Sequence, residues 1–131
     1  MHDIPLTPTG LVRLDADTTA VALYASDPDA VRGMLAAAGA VAAGHGWRTV
    51  ADGTISDHCL LTQAPRSRTG WDPVRGLAEQ RRINVVIVPA HGHIGFTLEE
   101  WLAEQRFLHR HGVSVASVEP MLDAVLRGVS R

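Results

Sequence analysis

Residues 83–88, Ile83-Asn84-Val85-Val86-Ile87-Val88, decide the fold. Apart from Asn84 the run is apolar and β-branched, which suits a pleated surface. It lacks the apolar/polar alternation of a half-exposed strand. Continuous apolarity over so short a run is the pattern of a strand in a parallel sheet covered on both faces. Reading outward, Thr97 and Glu100 form a capping-box pair that opens a helix. Its expected inner stripe is Leu98, Trp101, Leu102, Gln105 and Leu108, and Gly112 stops it. Val113–Val118 then reads as the last strand. Upstream, Asp72-Pro73 opens a helix with Val74, Leu77 and Ala78 inward.

Further toward the N-terminus, 18–24 (TTAVALY) is a short apolar strand and 47–51 (WRTVA) a second one. Between them lies a helix with Val31, Met34, Leu35, Ala38 and Val41 at helical spacing. Asp27 is its expected cap, Pro28 its first position, and Gly44 and Gly46 its end. Residues 52–70 show no period and read as a long loop. Residues 1–17 read as an irregular N-terminal arm, and Pro120 opens a terminal helix through about residue 130. The order of strands and helices predicts a three-layer α/β/α domain over 18–131, with a mainly parallel four-stranded sheet in the order 2-1-3-4. Any ligand site belongs beyond the carboxyl ends of the strands.

Composition narrows the function. The chain has 131 residues, 46% hydrophobic and 20% charged, which suits one globular domain. It has no apolar run of membrane-spanning length, and its first residues have no secretory pattern. The expected setting is therefore the cytoplasm, with no membrane partner. A lone cysteine, Cys59, excludes an internal disulfide framework. All of the basic residues are arginine, yet the net charge is −2. Stand-alone DNA binders usually carry a basic surplus, because phosphate neutralisation supplies much of their affinity.

Several segments together resemble the N-terminal catalytic domain of the serine recombinases, the resolvase/invertase family. In that family a buried strand leads into Asp-Arg-Leu-Gly-Arg-Ser, then a helix ending in His-Gly-Val and another strand. Here the corresponding residues are Gly92, His93, Ile94, Gly95, Phe96 and Thr97, followed by His111-Gly112-Val113. Arg68-Thr69-Gly70-Trp71 resembles the family's Arg-Pro-Gly-Leu. Tyr24-Ala25-Ser26 resembles the start of its Tyr-Ala-Arg-Val-Ser nucleophile loop, and His45-Gly46-Trp47 the end of the next helix. The match spans roughly 18–119.

The resemblance implies a resolvase-like α/β fold, DNA recombination chemistry, and Ser26 and Arg68 as the catalytic candidates. It implies no cofactor. The family's serine attacks a phosphodiester, and fixed guanidinium groups meet the charge that develops there. Here that arginine set is depleted. The nucleophile loop has lost its arginine and about three residues, so that either Ser26 or Pro28 fills the nucleophile slot. His93 and Phe96 stand where two further arginines are expected. The family's long dimerisation helix is reduced to about 120–130, and no DNA-binding domain is expected within the sequence.

The plainer readings stand beside these. Ser26 also suits a helix-start turn, and Arg68 a loop arginine that is solvated or paired with Asp57 or Asp72. Asp27, His91, His93 and Thr97 are candidate linings of a strand-end anion pocket. His91 and His93 with His58 or Cys59 lack any established metal-ligand spacing, so no metal is assigned. A Cys59–His58 nucleophile pair would need a geometry that adjacency rarely supplies. His109 and His111 complement a helix C-terminus, and Trp71 and Trp101 read as packing residues. The functional expectation is a recombinase-like domain that has lost strand cleavage and acts by binding, accessory assembly or regulation. Its partners would be a second copy or a related recombinase, with DNA bound weakly or through that partner. The alternatives are an active recombinase or nuclease using Ser26 and Arg68, and a pocket adapted to a small anion or metal.

Overall fold

The computed structural model describes residues 19–119. The arm expected over 1–17 and the helix expected over 120–130 lie outside the described residues. Strand β1 spans Ala20–Ser26, helix α1 Val31–His45, strand β2 Arg48–Asp57 and helix α2 Trp71–Glu79. Strand β3 spans Val85–Val88, helix α3 Leu98–Arg110 and strand β4 Ser114–Ser117. Single 3-10 turns occupy Pro65–Ser67 and His91–His93. All strand pairs are parallel, and the sheet order is β2-β1-β3-β4, as the sequence predicts.

The two-residue period of the central strands divides the core. Val21 and Leu23 of β1, with Val85 and Ile87 of β3, meet Ala38 and Ala42 of α1 on one face. Ala20, Ala22 and Tyr24, with Val86 and Val88, meet Trp71, Val74, Phe107 and Leu108 of α2 and α3 on the other. Both faces of β1 and β3 are thereby dry, which is why neither strand alternates in polarity.

Three local expectations need correction. Helix α1 begins at Val31, not next to Pro28. The Asp27 carboxylate accepts the N–H groups of Asp29 and Ala30, at 2.9 and 2.7 Å, in a turn that precedes the helix. The segment 52–70 is not loop throughout, because β2 runs on to Asp57. Thr49 pairs with Val21 but Thr54 with Leu23, so the intervening residues of β2 bulge and hide its period. In α3 the inner stripe includes Glu104, Phe107 and Leu108, while Leu98 is 71% exposed. Glu104 is buried because its carboxylate accepts the Trp71 indole N–H at 2.7 Å and lies 3.6 Å from the Arg75 guanidinium. The Thr97–Glu100 capping box forms as predicted.

Candidate functional site

The site lies at the carboxyl edge of the sheet, where four chain segments converge. β1 ends in Ser26 and β2 in Asp57, and these two residues pair across the strands. Arg68 precedes α2, and His93 follows β3 in the 3-10 turn.

Arg68 is the organising residue. It is 1% exposed, although a guanidinium is costly to bury without partners. Its Nε donates to the Gln63 carbonyl at 2.9 Å. One terminal nitrogen donates to the His93 carbonyl at 2.6 Å and to the Tyr24 hydroxyl at 3.3 Å. The other donates to the Leu61 carbonyl at 3.1 Å. Tyr24 in turn donates to Asp57 Oδ2 at 2.6 Å. The Asp57 carboxylate also accepts the Gly70 N–H at 2.7 Å. Charge is balanced through the phenol, with Arg68 and Asp57 at its two ends. Burial, and then the bond to Asp57, raise the Tyr24 hydroxyl well above the ordinary phenol range, so it remains a donor.

Ser26 is fully buried. Its hydroxyl donates to the Cys59 carbonyl at 2.8 Å, and its N–H donates to His93 Nδ1 at 3.0 Å. Nδ1 must be unprotonated to accept that bond. Burial, with the Arg68 charge second, pushes His93 down to about 4, against an opposing pull from Asp27. His93 is thus a neutral acceptor near neutral pH and supplies no cation. The Asp27 carboxyl is held below its ordinary range by the N–H groups of Asp29 and Ala30.

The structure brings Ser26, Arg68 and His93 together, but they hold one another and the loop 58–70. The remaining candidates are placed differently. His91 is half-buried, with its ring 5.5 Å from that of Trp101. Thr97 is exposed, and its hydroxyl caps α3 through the Glu100 N–H at 3.1 Å. Pro28 is exposed in the turn after β1. Phe96 is 58% exposed at the foot of α3. Sequence reasoning treated Asp57 only as a direct partner for Arg68 and gave Tyr24 no role in the site. The period of β2, masked by its bulge, was the missing signal for Asp57. Among the described residues no three His, Cys, Asp or Glu side chains are grouped to hold a metal ion. No described helix is long and apolar enough to cross a membrane.

Two glycines permit the arrangement. A Cβ on Gly70 would stand 2.6 Å from the Ser56 carbonyl and 2.7 Å from Asp57 Oδ2. A Cβ on Gly95 would collide with the backbone of Trp101 at the start of α3.

Among solved structures, the C-terminal catalytic domain of ISC1926 TnpA, an IS607-like serine recombinase, matches this chain with a TM-score of 0.66. The match covers 84% of this chain and 79% of that one, at 15% sequence identity. The fold is that of a serine recombinase catalytic domain. No protein-family model and no curated protein matches the chain, so the likeness is carried by the backbone. Within the recombinase fold, the segments that resemble the family's motifs occupy the carboxyl edge of the sheet. There Arg68 bonds to acceptors within the protein, and Gly70 and Gly95 allow close backbone approach.

Proposed function

We propose that this domain has lost DNA strand cleavage and acts by binding and assembly, as an accessory or regulatory relative of the recombinases. One observation carries the reading: the Arg68 guanidinium is buried and directed at protein acceptors instead of outward to a phosphate. Transfer of a phosphodiester to serine needs preorganised cations around the developing charge. His93 is a neutral acceptor, Phe96 is apolar, and the Ser26 hydroxyl is hydrogen-bonded to Cys59 within the core. The loss of two such cations at about 3 kcal/mol each lowers a rate by roughly four orders of magnitude. The domain is expected to work as a homo-oligomer or beside a related recombinase, reaching DNA weakly or through that partner. Asp27, His91, His93 and Thr97 then serve as structural residues around the site.

The test is incubation with supercoiled and nicked DNA, followed by denaturing electrophoresis and mass spectrometry for a protein-linked 5′ end. No adduct is expected. A Ser26-linked adduct that disappears in Ser26→Ala would overturn this reading and establish an active recombinase or nuclease.

A further inference from the structure

The outer face of α3 is a groove of about 630 Å³ lined by Trp101, Leu102, Gln105, Arg106, His109 and Arg110. Leu98, 71% exposed, continues the same face by one turn. Leu98, Leu102, Gln105 and His109 recur at intervals of four, three and four, the spacing of a seam between two packed helices. Beside that seam stand Glu99, near the start of the helix, and Arg106, two turns later. Both are exposed, and neither forms an ion pair among the described residues. Seven residues of helix separate them by roughly 10 Å, too far for a bond within one helix. The face thus carries a carboxylate at one end and guanidinium groups at the other, with Leu102 and Gln105 between them. Such a face complements itself when a second copy is turned by two-fold rotation.

We propose that α3 is a self-association surface, on which two copies of this chain pack α3 antiparallel. In this pairing Leu102 of each copy faces Gln105 of the other, and Leu98 faces His109. Glu99 of each copy reaches Arg106 of the other, so the ion pair forms twice. Trp101 flanks the seam, with its indole N–H buried and lacking a hydrogen-bond acceptor. A single 13-residue helix per copy offers less area than a standard stable interface, so the dimer is weak and concentration-dependent. The inference rests on the reading that the domain works by assembly, yet its test is separate. A Ser26–DNA adduct would remove that reading and leave the pairing of α3 untouched.

The test is sedimentation velocity on the full chain across a wide concentration range, with circular dichroism to confirm folding of each variant. The wild-type protein is expected to pass from monomer to dimer. Glu99→Arg and Arg106→Glu each place like charges together twice and should weaken the dimer roughly tenfold. Leu102→Glu should abolish it. The double reversal Glu99→Arg/Arg106→Glu should restore wild-type association. A wild-type chain that stays monomeric would overturn the proposal, whether or not the groove takes another partner. A dimer indifferent to the single reversals would also overturn it, as would failure of the double reversal to restore pairing.

Discussion

Arg68, Tyr24 and Asp57 form one chain in which each member satisfies the next, so removing the middle member is more disruptive than its size suggests. Tyr24→Phe keeps the ring against Trp71, where the centroids are 4.9 Å apart, but leaves Asp57 Oδ2 and an Arg68 N–H without their shared partner. A buried group left unpaired costs about 1–3 kcal/mol. Chemical denaturation of Tyr24→Phe should show a loss in that range, larger than that of an exposed control such as Thr62→Ala. His93 gives the pH dependence. Its folded value of about 4 lies below the ordinary 6.5. Between those values the unfolded chain binds the proton and the folded one does not, so stability falls as pH drops from about 6.5 toward 4. Above 6.5 this residue contributes no pH dependence. His93→Asn retains an acceptor for the Ser26 N–H without the titration. Thermal melts from pH 7 to pH 4 should therefore fall less steeply for that variant than for wild type. Parallel curves would place the acid sensitivity elsewhere.

Helix α3 has the expected ends but only part of the expected face, since Trp101 and Leu108 pack inward while Leu98 does not. The capping box fixes the start through local bonds, and Thr97→Ala should cost about 1 kcal/mol in a denaturant midpoint measurement. The inward face followed a different logic. Glu104 turns inward because Trp71 and Arg75 of α2 supply its partners, a fact no period within α3 contains. Gly95 marks where the turn after β3 meets the same helix. Gly95→Ala would force its methyl into the Trp101 backbone, which cannot yield as a flexible side chain would. A loss of about 2 kcal/mol is expected by the same measurement. Gly76→Ala, where a Cβ meets nothing within 4 Å, should show no such loss.

At the scale of the whole molecule, charge sets the relation to DNA. The net charge of −2 gives no general attraction to phosphate, and Arg68 is turned inward. Duplex binding, followed by fluorescence anisotropy from low to near-physiological salt, should be weak and should vanish as salt rises. Tight, sequence-selective binding at physiological salt would contradict the proposed binding-only role, in which Arg68 is turned inward and no basic surplus meets the phosphates. The TM-score of 0.66 at 15% identity shows that the recombinase fold persists here with little shared sequence. Layer packing depends on pattern and volume, which many sequences satisfy, whereas a phosphate site depends on particular charges at particular points.

The apolar run at 83–88, the Thr97–Glu100 cap and the order of elements determined the parallel sheet and its strand order from sequence alone, because those signals act over a few residues or through chain connectivity. The placement of Arg68 before a glycine and a large apolar residue was equally legible. Its inward direction was not. That direction depends on carbonyls from Leu61, Gln63 and His93 and on the Tyr24–Asp57 pair, which are scattered along the chain and meet only when the sheet closes. The neutrality of His93 likewise follows from burial beside a guanidinium. The sequence alone determined that Ser26, Arg68 and His93 stand at the carboxyl edge of the sheet. Only the tertiary structure decided that they face one another, because desolvation and hydrogen-bond geometry are properties of neighbours in space.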